Sequence, residues 1–298
     1  DGLRPQHLTD LTCTSTGDAG VRLVTRLTQF TNMCLTGRVP PVVQPVFCGA
    51  SLCALNKKGG GIRPIAVGNT LRRLVAKAAC RAVSSKIAAQ FLPVQLGFGV
   101  QKATEAAVHA ARRYVSGLQP GQGLLKLDFN NAFNTVRRDA VFKAINELLP
   151  ELYPFVHMCY ANASLLNFGE FLLMSDEGAQ QGDPLGPLMF CASALKLTKR
   201  MESEFNLWFL DDGSLGGEVD ILLKDLELIR CVGEQIGLVL NKHKCEIVTD
   251  DPSVVTQFLA VMPNIRHVPC SNAVLLGAPV GDDSTTDIIL HDKLTVFQ

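Results

Sequence analysis

Two adjacent aspartates place the strongest constraint on how this chain can fold. Asp211 and Asp212 follow the apolar run at 207–210 and precede Gly213 in the stretch LWFLDDGSLGG. The apolar side chains favour burial in a strand, whereas two neighbouring carboxylates repel each other and favour water or a cation. Because an Asp-Gly step is typical of hairpins, the stretch also predicts a tight turn at 212–213. The pair is a candidate cation site at the tip of a buried strand.

A third aspartate, Asp128, ends a second apolar strand. It follows the run GLLKL, in which three leucines bracket one lysine. If the two strands are neighbours in one sheet, Asp128 meets the aspartate pair at the sheet edge. Mg²⁺ binds through one or two carboxylates together with substrate phosphates, and two metal ions about 3.5–4 Å apart can hold the attacking and leaving oxygens of a phosphoryl transfer. The three aspartates indicate that chemistry, with a plain hairpin turn as the alternative.

The composition is that of a globular protein with a substantial core. The 298 residues include 28 Lys and Arg, 28 Asp and Glu, and 47% hydrophobic residues. No stretch reaches the roughly 18 apolar residues of a membrane span, so no membrane partner is expected. The ten cysteines lack zinc-ligand spacing and predict reduced thiols in an intracellular protein. Because the first residue is Asp1, we expect a segment of a longer protein.

Positive charge is concentrated in one part of the chain. Residues 51–115 contain eleven lysines and arginines but a single acidic residue, Glu105. Because the whole chain has a formal net charge of zero, the remainder is correspondingly acidic. Such a segment favours a surface that binds a polyanion, such as a nucleic-acid backbone or nucleotide phosphates. A solvated helix face is the alternative.

Glycines and prolines divide the chain into short strands and helices. Glycines at 59–61 predict one hairpin turn and Gly169 predicts another. Two helices are predicted to begin with Thr70 and Thr104 as capping residues. Further helices are predicted at about 137–149, 152–163, 219–236 and 252–262. The last apolar stretch, AVLLGAPVG, predicts a strand, and the mixture of hairpins with strand–helix alternation indicates an α+β fold.

Several stretches, in order along nearly the whole chain, resemble the motifs of reverse transcriptases. They are DGLRPQHL, IRPIAV, LDFNNAF, GAQQGDPLGPLMF, FLDD, GLVLNKHKCEIV and LLGAPVG. DGLRPQHL and the QGDPL wording resemble the non-long-terminal-repeat, or LINE-type, branch. The resemblance implies a right-hand polymerase with an antiparallel palm sheet packed on helices. It implies an upstream segment and fingers at 1–120 and a palm at 121–298, with a returning fingers segment at about 137–180, a primer-grip end, and a thumb that is absent or truncated.

The resemblance implies roles for matching residues in the palm. Asp128, Asp211 and Asp212 match the metal-binding catalytic carboxylates. Phe133 matches the aromatic gate that stacks under the sugar and excludes a 2′-hydroxyl, with a core phenylalanine as the alternative. Lys244 matches the lysine that protonates the leaving pyrophosphate, with a solvated strand-end lysine as the alternative.

The resemblance also implies contacts with the incoming nucleotide and the template. Arg63 matches the fingers arginine that grips the triphosphate, because the planar guanidinium fork suits phosphate. Lys57 and Lys58 are expected to contact template or triphosphate. Gln181 and Gly182 match the loop that packs against the nascent base pair, where glycine permits a close backbone approach.

Two positions depart from the family's pattern. Leu210 stands beside the aspartate pair where LINE-type enzymes commonly carry alanine, and Gly186 stands where the loop usually carries serine. Neither residue is a metal ligand, so the resemblance still implies a competent site.

Together these features predict an RNA-directed DNA polymerase that serves retrotransposition. It would extend a primer 3′-hydroxyl with deoxynucleoside triphosphates on an RNA template, using two Mg²⁺ ions or Mn²⁺ in their place. Its partners would be the RNA template, the DNA primer and dNTPs, and a LINE-type enzyme would act in the nucleus. The alternatives are an RNA-dependent RNA polymerase, a group II intron-type reverse transcriptase and a catalytically decayed RNA-binding module. The sequence leaves the oligomeric state open.

Overall fold

The computed structural model describes residues 2–57, 60–281 and 287. Its helices are α1 Pro5–Leu11, α2 Gly17–Leu35, α3 Gln44–Cys48, α4 Thr70–Phe91, α5 Ala103–Val115, α6 Ala132–Thr135, α7 Arg138–Leu148, α8 Tyr153–Tyr160, α9 Gly186–Thr198, α10 Val219–Gln235 and α11 Pro252–Val261. Its strands are β1 Ala50–Asn56, β2 Ile62–Gly68, β3 Gln122–Leu127, β4 Ser164–Phe168, β5 Phe171–Ser175, β6 Phe205–Phe209, β7 Asp212–Glu218, β8 Glu246–Val248, β9 Arg266–Val268, β10 Val274–Leu275 and β11 Ala278–Pro279. Within these described ranges, every helix is too short or too polar to cross a membrane.

The chain forms two compact units. The first comprises Asp1–Ser84 and Val136–Ser193, and the second comprises Ser85–Thr135 and Ala194–Gln298. The first unit is therefore built from two stretches that are separated in the sequence. The later stretch, Val136–Ser193, contains the predicted returning fingers segment at about 137–180. The functional boundary between fingers and palm stays a prediction.

The first unit contains a four-stranded sheet made of two hairpins. Its strand order is β2-β1-β4-β5. β1 pairs antiparallel with β2, β4 pairs antiparallel with β5, and β1 and β4 join the hairpins in parallel. Gly60 and Gly61 turn the first hairpin with φ of 87° and 83°, and Gly169 turns the second with φ of 59°. Both predicted hairpins are confirmed.

The second unit contains a five-stranded sheet with β3 at its centre. Its strand order is β6-β7-β3-β8-β9. β3 pairs antiparallel with β7 and β8, and β8 pairs in parallel with β9. The apolar residues Val108, Ala111 and Val115 of α5 pack in one buried cluster with Leu124 and Val248 of the sheet. The predicted α+β arrangement, with a largely antiparallel sheet packed on helices, is confirmed.

The two predicted helix caps are wrong. Asn69, the residue before α4, accepts the backbone N–H of Arg72 with its side-chain oxygen at 2.8 Å. Thr70 is already the first helical residue, and its hydroxyl donates to the Leu3 carbonyl instead. At α5 the cap position falls on Lys102, which makes no side-chain cap. A capping side chain must precede the first helical residue to reach its free N–H groups, so an error of one residue at α4 and of two residues at α5 removes the predicted cap.

The predicted final strand, AVLLGAPVG, is interrupted. β10 and β11 form a short antiparallel hairpin. Leu276 and Gly277 between them have φ of 49° and 77°, which reverses the chain where a continuous strand would need extended backbone.

Candidate active site

The aspartate pair lies at the tip of the β6–β7 hairpin. Phe209 pairs with Asp212 across the strands, so Leu210 and Asp211 form the two-residue turn. The predicted turn at 212–213 is wrong, because Gly213 pairs with Trp208 inside the hairpin. A Cβ on Gly213 would lie 2.6 Å from the Trp208 ring. The glycine therefore makes room for the buried indole and has no part in the turn.

Asp128 lies beside this turn, although the two apolar strands that precede the aspartates are not neighbours, because β7 lies between β6 and β3. Leu127 of β3 pairs with Gly213 of β7, so Asp128 and Asp212 stand one step further along the same strand pair. The Asp128 carbonyl accepts the backbone N–H of Asn241 at 2.8 Å. The backbone register thus brings together carboxylates that are more than eighty positions apart in the sequence.

The three carboxylates interact electrostatically. Partial desolvation, followed by repulsion from Asp211 and Asp128, raises the pKa of Asp212 from 3.8 to about 6, and nearby Lys126 opposes the rise. Oxygen donors with this excess of negative charge suit hard divalent cations. Among the residues that the structure describes, no three His, Cys, Asp or Glu side chains already stand at metal-binding spacing. The donor chemistry fits a divalent metal, and Mg²⁺ sites of this kind recruit substrate oxygens to complete them.

Asp128 and Asp212 line a polar cavity of about 300 Å³. Its lining residues are Lys126, Leu127, Asp128, Asp212, His243, Lys244, Glu246 and Arg266. Glu246 forms ion pairs with both Lys126 and Arg266, whereas Lys244 is exposed to solvent. The cavity therefore places cationic side chains next to two of the carboxylates.

Lys244 reaches this cavity because its segment is bonded to the chain around Asp128. The N–H of Asn130 donates to the Val239 carbonyl at 2.8 Å, and the N–H of Lys244 donates to the Asn241 carbonyl at 2.9 Å. These bonds fix a loop that follows α10 against the end of β3. The structure brings Lys244 to the carboxylates, and its role as proton donor stays a prediction.

Phe133 lies in the same unit, in the single turn of α6. It is half-buried, and the turn begins after Asn131, whose φ of 48° bends the chain away from β3. Its position soon after Asp128 is compatible with a gate beside the sugar. Its role stays a prediction.

Four of the other predicted site residues lie in the first unit, around β2. Arg63 is exposed on this strand, and Lys57 is half-buried at the turn before it. Lys58 lies outside the described residues. The Gln181 carbonyl accepts the backbone N–H of Ala66 at 2.7 Å, so the loop that carries Gln181 and Gly182 rests on the strand that carries Arg63.

The close approach of this loop explains its glycine. Gly182 has φ of 118°, and a Cβ there would lie 2.6 Å from the Ala66 carbonyl oxygen. Any larger residue would push the loop off β2. The predicted close backbone approach is therefore present, although its partner in this unit is the β2 backbone.

A buried ion pair that the sequence did not reveal anchors the same loop. Arg72 is 1% exposed, and its guanidinium donates to the Asp183 carboxylate at 2.5 Å and to the Gln180 side chain at 3.0 Å. The Tyr160 hydroxyl donates to the same carboxylate at 2.7 Å. Both neighbours of the Gln181–Gly182 pair are thus fixed. Arg72 belongs to the basic segment, but its burial removes it from any polyanion-binding surface.

The raised pKa of Asp212 predicts a pH-dependent stability in the metal-free protein. The folded state binds this proton more tightly than the unfolded chain, so the stability contribution of Asp212 falls as pH rises from about 4 to about 6. We expect Asp212→Asn to raise the free energy of unfolding by about 1 kcal/mol at pH 7, because solvent screens part of the carboxylate repulsion. Urea denaturation in EDTA at pH 7 and at pH 3.5 measures the gain.

The gain should be much smaller at pH 3.5, where the Asp212 carboxyl is mostly protonated in both states. Asp220→Asn is the matched control, because Asp220 is exposed in the first turn of α10 away from the carboxylates. An equal gain for Asp212→Asn at both pH values would contradict the electrostatic explanation.

The chain is similar to a retrotransposon protein and to solved telomerase structures. The chain is 26% identical over 208 residues to the retrotransposable element SLACS 132 kDa protein of Trypanosoma brucei gambiense, a match that covers 66% of this chain and 17% of that protein. The chain therefore spans about a sixth of the length of this relative. Its fold resembles apo telomerase from Candida tropicalis truncated from its C-terminal domain, with a TM-score of 0.53, 14% identity, and coverage of 68% of this chain and 50% of that one.

The fold also resembles a second telomerase structure, and the sequence matches a known family. Telomerase from Candida tropicalis in complex with a TWJ fragment of telomeric RNA gives a TM-score of 0.54 at 12% identity, over 79% of this chain and 44% of that one. At such identities the likeness establishes the fold, and the predicted fingers-and-palm architecture is confirmed. Residues 55–276, most of the chain, match the family described as reverse transcriptase (RNA-dependent DNA polymerase). This chain therefore belongs to the reverse transcriptase family.

Proposed function

We propose that this chain is the catalytic part of an RNA-directed DNA polymerase that extends a primer 3′-hydroxyl with dNTPs on an RNA template. The observation that carries the proposal is the meeting of three carboxylates at one end of the β3–β7 strand pair. Asp128 and Asp212 share a cavity with Lys244 there. A site of this kind, in a member of the reverse transcriptase family, is suited to nucleotidyl transfer.

Asp128 and Asp211 would hold two Mg²⁺ ions, or Mn²⁺ in their place, with Asp212 assisting. When bound, these ions would supply positive charge that lowers the pKa of the primer hydroxyl and neutralises the triphosphate. The protein's part is to fix the oxygen donors before substrate arrives. Desolvation and then repulsion from Asp211 and Asp128 raise the pKa of Asp212, and the repulsion is the charge imbalance that such cations relieve.

The cationic and aromatic residues would handle the nucleotide. Lys244 would donate a proton to the leaving pyrophosphate, since its ammonium is exposed on the cavity that the carboxylates line. Phe133 would lie under the sugar and exclude a 2′-hydroxyl. Arg63 would grip the triphosphate, which suits an exposed guanidinium.

The remaining residues would contact the template and the nascent pair. Lys57 and Lys58 would bind template or triphosphate by charge, and that binding would weaken with salt. Gln181 and Gly182 would support the nascent base pair. A LINE-type element acting in the nucleus is also part of the proposal; it is supported by the DGLRPQHL stretch and by the similarity to a retrotransposable element protein.

Primer extension by the purified protein tests the function. An RNA template annealed to a DNA primer is supplied with Mg²⁺ and either dNTPs or rNTPs. We expect efficient extension with dNTPs and little with rNTPs. Efficient use of rNTPs would indicate an RNA polymerase, and RNA binding without any extension would indicate a decayed binding module. Either outcome would overturn the proposal.

The sugar gate gives a separate prediction. Phe133→Ala should raise the ratio of rNTP to dNTP incorporation by about tenfold to a hundredfold, because losing the ring opens space for a 2′-hydroxyl. Competition between labelled nucleotides measures the ratio. Phe205→Ala is the matched control, since half-buried Phe205 lies at the opposite end of β6 from the turn. An unchanged ratio in Phe133→Ala would remove the gate assignment.

A further inference from the structure

The catalytic turn contains a residue in an unfavourable backbone conformation. Leu210 has φ of 56°, in the left-handed region that is unfavourable for an L-residue with a Cβ. Leucine carries no side-chain polar group that could stabilise this conformation locally, as Asn or Asp can. The pairing of β6 with β7 requires a positive φ at the first position of a two-residue turn, and contacts from outside the turn offset its cost at leucine. The position of the adjoining Asp211 depends on this residue.

The side chain of Gln95 makes the required contacts. Its amide nitrogen donates to the Leu210 carbonyl at 3.0 Å, and its amide oxygen accepts the Leu210 N–H at 2.9 Å. The same oxygen accepts the N–H of Gly97 at 2.9 Å. Gln95 is 0% exposed, so water cannot replace these bonds, and a buried amide left unpaired is costly. The glutamine therefore binds both backbone groups of the strained residue.

The segment that carries Gln95 is itself held against β6. The N–H of Leu96 donates to the Trp208 carbonyl, and the N–H of Trp208 donates to the Val94 carbonyl, each at 2.7 Å. Residues 94–96 thus form a short bridge parallel to β6. These backbone hydrogen bonds hold Gln95 beside Trp208, which lies two residues before Leu210.

Gly97 allows the segment to approach the turn closely. A Cβ on Gly97 would lie 2.5 Å from the Leu210 nitrogen and 2.6 Å from its Cδ2. No side chain fits in that space, so only glycine permits the hydrogen bonds from Gln95. Two independent features therefore support Leu210: the hydrogen-bonded amide of Gln95 and the absence of a Cβ at Gly97.

We infer that Gln95 is a positioning residue for catalysis, which holds Leu210 in the left-handed conformation and so fixes the Asp211 and Asp212 carboxylates for metal binding. The inference rests on the proposed function, and Gln95 is fully buried, out of reach of a substrate. It also accounts for Leu210, which departs from the smaller residue expected at this position. The Gln95 amide binds the main chain of Leu210, so the turn tolerates a large side chain.

The first test removes the hydrogen bonds from the Gln95 side chain to Leu210 and changes the volume of that side chain little. Gln95→Met deletes both hydrogen bonds to Leu210, and Gln95→Glu in its ionised form keeps the acceptor but removes the donor. We expect the kcat of primer extension to fall about tenfold to a hundredfold, as a small displacement of a catalytic group does. The half-saturating Mg²⁺ concentration should rise, while the KM for template–primer stays within about twofold because Gln95 is fully buried and inaccessible to substrate. Gln122→Met is the matched control, because half-buried Gln122 lies at the opposite end of β3.

The second test uses a compensating substitution. Glycine adopts positive φ without strain, so Leu210→Gly should restore part of the kcat and Mg²⁺ dependence lost in Gln95→Met. A double-mutant cycle of these substitutions measures the coupling. A general loss of packing at Gln95 would not be repaired by a glycine in the turn. If Gln95→Met does not fold, as judged by circular dichroism, the same cycle is run with Gln95→Glu.

A readout that does not need activity separates this inference from the proposed function. Mg²⁺ should raise the Tm of the wild-type protein and of Gln122→Met, and the increase should be smaller in Gln95→Met and partly restored by Leu210→Gly. If the wild type extends no primer, the proposed function fails, and these Tm shifts still decide whether Gln95 positions the carboxylates. Wild-type kcat and Mg²⁺ dependence in both Gln95 variants, or no recovery with Leu210→Gly, would overturn the inference.

Discussion

Replacing Asp211 by Asn is expected to reduce primer extension at least a thousandfold while leaving RNA binding within about twofold. Asp211 lies in the turn between β6 and β7, next to Asp212, which interacts electrostatically with both Asp211 and Asp128. An amide oxygen carries no full negative charge, so metal-dependent stabilisation of the transition state, worth several kcal/mol, is lost. A loss of about 4 kcal/mol corresponds to about a thousandfold in rate. Single-turnover extension at saturating template–primer measures it.

Asp220→Asn provides the matched control for this substitution. It removes the same charge from an exposed position on α10 in the same unit and should extend primers like the wild type. Filter binding to the RNA template should give similar affinities for both variants, because phosphate-backbone contacts are made by basic residues. Extension by Asp211→Asn at more than a tenth of the wild-type rate would exclude Asp211 as a metal ligand.

Removing Arg72 is expected to produce the largest loss of stability. Arg72→Ala leaves the Asp183 carboxylate, which is 6% exposed, without its cation. Breaking a buried pair on one side costs about 3–5 kcal/mol, because the remaining charge stays buried and uncompensated. The free energy of unfolding extrapolated from urea denaturation measures this. Arg81→Ala, an exposed arginine of the same helix, should change that free energy by no more than about 0.5 kcal/mol.

A second substitution identifies the cause. Adding Asp183→Asn to Arg72→Ala should recover part of the lost stability, because a neutral amide costs less to bury than an unpaired carboxylate. If the double variant is no more stable than Arg72→Ala, the loss comes from packing of the arginine side chain. In that case Arg72 would not anchor the Gln181–Gly182 loop through charge.

Much of the local structure could be predicted because its signals lie within a few neighbouring residues. The glycine turns at 59–61 and at Gly169 identified two hairpins, and apolar periodicity identified the main helices. Where a signal depended on a single position, prediction was less accurate. Thr70 and Asn69 are both good capping residues, and only the observed start of α4 distinguishes them.

The hairpin of the aspartate pair shows the limit most clearly. Asp212 and Gly213 form the better turn sequence by local preference, yet the turn falls on Leu210 and Asp211. Trp208 needs the space above Gly213, and Gln95 stabilises the strained leucine. Both contacts come from tertiary packing, which overrides the local preference of the turn.

The sequence by itself determined the chemical groups of this protein: three carboxylates after apolar strands, a basic segment, and motifs typical of reverse transcriptases. Only the tertiary structure decided which groups meet. The register of β3 with β7 sets Asp128 beside Asp212, the loop after α10 carries Lys244 to their cavity, and Gln95 and Arg72 act on residues more than a hundred positions away. Local preferences cannot encode such contacts, because each depends on the burial and pairing of segments that are distant in the chain.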